Sequence, residues 1–250
     1  MAETPTFKPL SDLTVKLFAD GANIATMLAF HAKPYIKGFT TNPTLMRKAG
    51  IANYERFARE VLEQIPDLPI SFEVFDDEFE GMYAQGRQIA GWARNVYVKV
   101  PITNTKGEPS YDVIRRLSQS GVKVNVTALM TLQQVEATVK ALGEGVAACV
   151  SVFAGRIADT GRDPVPLMRK AIAMLAVNPQ LELIWASPRE LLNVFQADSI
   201  GCHIITATQD ILAKLELVGK NLDEYSLETV QMFHKDATAS GYSLYSSARA

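Results

Sequence analysis

Eight short β-branched or aromatic runs recur about every 25 residues along this chain: VKLFA, KGFTT, PISFEV, VYVKV, VKVNV, AACVSVF, ELIWA and CHIIT. Each is followed by a longer stretch at helical spacing, seen over residues 54–64, 82–93, 111–119, 132–142, 166–176, 188–196 and 209–217. Strands alternating with helices predict parallel βαβ units. Eight such units in 250 residues fit a closed (β/α)8 or TIM barrel better than an open doubly wound sheet. An open sheet commonly carries a glycine-rich phosphate loop after its first strand, and neither GxGxxG nor GxxxxGK[ST] occurs. The expected class is therefore α/β.

No Pro/Gly/Ser-rich linker or shift in composition divides the chain, which predicts one barrel domain over about 12–218 with a C-terminal helical extension over about 219–250. In that extension Ser226 is the expected helix cap, and the segment, which ends in a small-residue tail, is expected to pack on a neighbour or fray. A hydrophobic content of 48% suffices for a large core. A net charge of −2 gives no global reason to expect nucleic acid or a membrane surface as partner. The N-terminus lacks an apolar segment behind a basic flank, and the longest apolar stretch, around 146–154, is too short to span a bilayer. These features predict a cytoplasmic protein. Cys149 and Cys202 fall in apolar runs and read as core thiols; no CxxC or Cys/His spacing suggests a metal, and His31, His203 and His234 show no ligand spacing.

Barrel enzymes carry their chemistry at the C-terminal ends of the strands, so polar residues there are the candidates. Asp20 closes the first run, Thr41 and Asn42 the second, Glu73 the third, Lys99 the fourth, Asn125 and Thr127 the fifth, Ser151 the sixth and Ser187 the seventh. Lys99 stands among Tyr97, Val98, Val100 and Pro101. A lysine desolvated in a barrel mouth gives up its proton more readily, and the free amine is a nucleophile. A lysine here can also snorkel to solvent or pair with Glu73 or Asp20. Those two carboxylates are the groups available to shuttle protons beside an attacking amine, although Asp20 could instead cap the next helix through GAN. Asn125 and Thr127, two apart on a strand, point the same way and can hydrogen-bond substrate hydroxyls. Arg156 in FAGRIAD and Arg189 in ASPRE suggest a phosphate site late in the chain order, or surface ion pairs.

Taken in order, FADGAN, GFTTNPTL, FEV, YVKVPIT, VNVTAL, SVFAGRI and WASPRE resemble the transaldolase family, including its small branch that contains fructose-6-phosphate aldolases. The resemblance extends over nearly the whole barrel. It implies a class I aldol mechanism without metal or organic cofactor, with Lys99 forming a Schiff base on a ketose phosphate. Glu73 would act through a water in carbinolamine dehydration, and Asp20 would take the hydroxyl proton beside the breaking carbon–carbon bond. Thr127 joins this catalytic set. Asn42, Asn125, Thr127 and Ser151 would hold the dihydroxyacetone unit and the catalytic water, and Arg156, Ser187 and Arg189 the phosphate. Glu73 and Phe153, with Ser151 beside them, resemble the transaldolase set, because aldolase-type members carry glutamine and tyrosine at the first two positions.

The resemblance thus implies transfer of a dihydroxyacetone unit from fructose 6-phosphate or sedoheptulose 7-phosphate to an aldose phosphate, in the pentose phosphate pathway, by a homo-oligomer. Pro188 stands where an aromatic is common, which leaves a sulfonated sugar or another ketose as an alternative. Other readings are a fructose-6-phosphate aldolase, a pyridoxal-phosphate protein, and a silent barrel acting as a binding or structural subunit.

Overall fold

A computed structural model describes residues 8–244. Eight parallel strands close in sequence order into a barrel: β1 (Lys16–Asp20), β2 (Ile36–Thr40), β3 (Ile70–Glu73), β4 (Val96–Pro101), β5 (Val124–Leu129), β6 (Ala148–Val152), β7 (Leu181–Trp185) and β8 (Ile204–Thr208). Around them lie α1 (Ile24–His31), α2 (Pro43–Lys48), α3 (Tyr54–Gln64), α4 (Phe79–Ala90), α5 (Tyr111–Gln119), α6 (Leu132–Leu142), α7 (Ala154–Ala158), α8 (Val165–Leu175), α9 (Leu192–Ser199) and α10 (Gln209–Ala213). The expected α/β TIM barrel is the fold observed.

The alternation of side chains along each strand divides the apolar residues into two cores. Outward-facing Leu17, Phe39, Phe72, Val98, Val126, Val150, Leu183 and Ile205 pack against the helices. A separate cluster of Phe18, Cys149, Ile184, Ala186 and Ile204, with Tyr97 and Phe153 against it, fills the barrel interior. Phe18 lies across Gly38, its register partner on β2. A Cβ at position 38 would sit 2.5 Å from the ring, so glycine makes room for an aromatic plug. Above this plug the inward residues turn polar, and the mouth begins.

Helices α3, α5 and α6 occupy the ranges that the hydrophobic spacing predicts, and α8 is displaced by one residue. The helix expected over 188–196 starts only at Leu192. Ser187 adopts a left-handed backbone (φ 58°), and the Asn193 side chain accepts from the backbone N–H groups of Arg189 and Glu190, forming a turn before the helix. The stretch 209–217 divides into α10 and a 3-10 turn, Lys214–Leu217. In the extension, α11 (Leu222–Ala239) begins four residues before the expected cap. Asn221 is the cap, its side chain accepting from Asp223 N and Glu224 N, and Ser226 lies inside the helix. No residue of α11 is buried. The end of the small-residue tail, 245–250, lies outside the described residues. Cys149 and Cys202 are buried free thiols, as expected, and burial pushes Cys202 up to about 12. No helix among the described residues is long and apolar enough to cross a membrane.

The Phe18–Gly38 contact yields a stability prediction. Gly38→Ala overpacks the interior and is expected to cost about 1–3 kcal/mol, and Phe18→Ala about 3–5 kcal/mol through the cavity it opens. The double variant should cost clearly less than the two combined when measured by urea denaturation. Simple additivity would show that the ring does not rest on the glycine.

Candidate active site at the barrel mouth

Strand register sets the centre of the mouth. β3 and β4 pair Glu73 with Lys99, and β4 and β5 pair Lys99 with Asn125. Lys99 is 6% exposed. Its Nζ lies 3.2 Å from Glu73 Oε2 and donates to the Thr41 carbonyl at 3.1 Å. A buried cation without such partners would be very costly. Of the local alternatives for this lysine, the structure shows the pairing with Glu73 and not snorkelling. That placement also suits an amine nucleophile with a carboxylate at hand for proton transfer.

Asp20 projects into the same mouth and does not cap α1, which Asn23 does instead. Thr40 Oγ1 donates to Asp20 Oδ1 at 2.7 Å and is 2.6 Å from Thr206 Oγ1. Burial raises the Asp20 carboxyl above its ordinary value, against the opposing effects of the Lys99 charge and the Thr40 hydrogen bond. Behind Lys99, Ser151 Oγ donates to Asn125 Oδ1 at 2.8 Å, and Asn125 Nδ2 donates to Ser71 Oγ at 2.9 Å. Thr127 Oγ1 is buried with no hydrogen-bond partner among the described residues. Tyr54, from α3, donates its hydroxyl to the Glu73 carbonyl at 2.7 Å, bracing the end of β3 from outside.

A cavity of about 560 Å³ opens over this centre. It gathers Asp20, Asn42, Glu73, Lys99, Thr127, Ser151, Phe153, Arg156, Ser187 and Arg189, ten of the eleven predicted site residues. Asn125 lies one layer deeper and is absent from the lining. Asn42 caps α2 through Oδ1, which accepts from Leu45 N, and its side-chain N–H groups are left to meet a ligand. Arg189 forms a two-pronged pair with Asp159, Nε to Oδ1 at 3.0 Å and a terminal nitrogen to Oδ2 at 2.5 Å. That contact holds the Asp159 carboxyl below its ordinary range. Arg156 has no ion pair among the described residues and lies 5.6 Å from the Phe153 ring centre.

The sequence reading missed Thr40, Thr206, Thr208 and Lys48, all of which line the cavity. Strand parity carried a signal for the first three. Thr40 faces inward with Asp20, whereas the neighbouring Thr41 turns its hydroxyl to the Ser71 carbonyl. Likewise Ile204, Thr206 and Thr208 alternate along β8. Lys48 sits at the end of a helix only six residues long, α2, and nothing in its local sequence marks it.

The sequence family to which this parallel eight-stranded barrel belongs makes it an aldolase-type enzyme. The chain belongs to the transaldolase/fructose-6-phosphate aldolase family, whose model matches residues 17–244. A probable transaldolase of Streptococcus equi subsp. zooepidemicus is 36% identical over 202 residues, 80% of this chain and 90% of that protein. One from Methanococcus maripaludis is 34% identical over 202 residues, covering 80% and 89%. Among solved structures, 3-keto-L-gulonate-6-phosphate decarboxylase from Vibrio cholerae shares the barrel fold, with a TM-score of 0.54 at 12% identity over 82% of this chain and 95% of that one.

The environment of Asp20 fixes a pH dependence. The folded chain holds the Asp20 proton more tightly than the unfolded chain, so stability falls as pH rises from the ordinary value of 3.8 through the raised one. The deficit is full once both states have ionised. Asp20→Asn is therefore expected to be more stable than the wild type at pH 7, with the advantage vanishing below the ordinary carboxylate range. Denaturant midpoints at the two pH values decide this, and an asparagine variant no more stable at pH 7 would contradict it.

Proposed function

We propose that this chain is a transaldolase, moving a dihydroxyacetone unit from fructose 6-phosphate or sedoheptulose 7-phosphate to an aldose phosphate, as in the pentose phosphate pathway. The observation that carries the reading is the buried Lys99–Glu73 contact of 3.2 Å with Asp20 in the same cavity. The Lys99 amine, once deprotonated, attacks the ketone carbon, and its oxygen takes up a proton. Loss of that oxygen as water then leaves a protonated imine. Glu73, with a water held by Thr127, delivers and receives the protons of this dehydration. Asp20 accepts the proton of the C4 hydroxyl as the C3–C4 bond breaks, and the electron pair flows into the iminium, leaving an enamine on Lys99 and releasing an aldose phosphate. An acceptor aldehyde then takes the enamine carbon, and hydrolysis frees the lysine.

Asn42, Asn125 and Ser151 hold the three-carbon unit, and Arg156, Ser187 and Arg189 hold the phosphate. The second reading, free aldol cleavage, uses the same Schiff base. The carboxylate at Glu73 and the phenyl ring at Phe153 favour transfer. Residues of about 12–218 form the catalytic barrel in this reading, and about 219–250 extend it.

We also infer a homo-oligomer working in the cytoplasm. Leu222, Leu227, Val230, Met232 and Phe233 on α11 are each at least half exposed, a run of apolar side chains that suits burial against a second copy. The two unbonded thiols are in keeping with a reducing compartment.

Two experiments test these readings. Borohydride reduction in the presence of fructose 6-phosphate, followed by peptide mass mapping, should mark the peptide containing Lys99, and Lys99→Ala should abolish both adduct and turnover. Turnover without that lysine would overturn the mechanism. Light scattering should give a mass of several chains, falling to one chain in a Val230→Glu/Phe233→Glu variant that keeps its circular dichroism; a monomeric wild type would overturn the assembly.

A further inference from the structure

Helix α7 is short, yet it meets the segment after β7 at closer range than any side chain would permit. Gly155 N donates to the Ala186 carbonyl at 3.4 Å. A Cβ at position 155 would collide with the Ser187 carbonyl oxygen and lie 3.4 Å from Arg189 Cγ. Ser187 itself holds a left-handed backbone at φ 58°, a conformation costing a serine about 1–2 kcal/mol. The residue after the end of α7, Asp159, then grips the Arg189 guanidinium through both carboxylate oxygens. Between these two contacts stands Arg156, whose guanidinium makes no ion pair among the described residues, faces the Phe153 ring, lies within electrostatic reach of Asp159 and lines the same cavity as Arg189.

We propose that Gly155 and Asp159 are positioning residues that hold Arg189 from two sides, at a fixed spacing from Arg156, so that the two guanidiniums form one preorganised anion clamp. Gly155 lets the Ser187–Arg189 backbone descend onto α7, and Asp159 fixes the direction of the Arg189 fork. A long side chain left to itself samples many rotamers, and each one frozen on binding lowers affinity. A carboxylate that already orients the guanidinium removes part of that cost. It leaves the remaining N–H groups of Arg189, and all those of Arg156, to meet an anion with two or more oxygens. Neither residue touches the reacting carbons, so both act on binding of the charged end and not on the chemistry at Lys99. The assignment rests on the reading of this end of the cavity as the phosphate subsite.

The test compares wild type, Gly155→Ala and Asp159→Asn. Inorganic phosphate binding by calorimetry is the first readout, and the second is KM and kcat with fructose 6-phosphate as donor and, separately, with dihydroxyacetone as donor and glyceraldehyde as acceptor, a pair in which neither sugar carries a phosphate. In both variants the phosphate Kd and the KM for the phosphorylated sugar are expected to rise about tenfold to a hundredfold. The kcat and all constants for dihydroxyacetone should stay within about twofold of wild type, because proper placement of the anion is the only thing lost. Equal losses with both donors would overturn the proposal in favour of general damage to the barrel, and so would variants that bind phosphate like the wild type. If Gly155→Ala fails to fold, the exposed Asp159 variant decides alone. Failure of the transaldolase reading is a separate result: no wild-type turnover with either donor, with the phosphate Kd series still judging the clamp.

Discussion

Everything at the mouth of this barrel depends on burying one ammonium among parallel strands. At 6% exposure Lys99 has little access to water, and an unpaired charge there would be penalised by several kcal/mol. The cost is met by Glu73, its register partner on β3, and by the Thr41 carbonyl at the end of β2. Those groups come from three different strands, so the cation is stabilised only when β2, β3 and β4 are all in register. A one-residue slip would turn Glu73 to the outer face and leave the amine without a counter-ion. The pair therefore specifies strand register as well as chemistry.

The same logic extends sideways through neutral groups. Ser151, Asn125 and Ser71 form a buried hydrogen-bonded chain across β6, β5 and β3, and Asp20, Thr40 and Thr206 form another across β1, β2 and β8. Each polar atom so placed costs desolvation unless its partner stands at the right height, which ties the inner faces of most strands to one geometry. Below them Phe18 on Gly38 supplies an apolar floor. The interior thus changes from aromatic plug to polar mouth within two residues along β1, from Phe18 to Asp20.

The strand–helix rhythm was legible in the sequence because parallel strands buried on both sides read as apolar runs and helices as amphipathic ones. Most of the candidate site was legible too, since polar residues closing apolar runs are rare unless something uses them. What escaped the reading had physical causes. Composition does not separate Thr40 from Thr41; only strand parity says which of two adjacent threonines faces inward. A serine before a helical run is a good cap, which favours Ser226 on local sequence, yet Asn221 stands five residues earlier and accepts from the backbone N–H groups of Asp223 and Glu224. The late start of α9 followed from a left-handed serine, which local propensity does not foresee. Nothing local marks Asp159, because its partner, Arg189, lies 30 residues away along the chain.

Among the described residues, two non-glycine positions have positive φ, Ala128 and Ser187, and both line the cavity. Ala128 sits where the pairing of β5 with β6 slips between Val126 and Leu129, directly after Thr127. Ser187 sits two residues beyond β7. Neither is forced by a tight hairpin, and a closed barrel has no need of them at its opposite end. Strain of this kind persists only where surrounding structure over-determines it. The Phe153 N–H bonded to the Leu129 carbonyl at 2.8 Å supplies that constraint for the first, and the close approach of Gly155 for the second. The rigid strands below bear the cost, and the bent backbone above leaves both Thr127 and Arg189 lining the cavity. Local rules of conformation are broken where the barrel must point side chains inward at one another, which is where a substrate would be held.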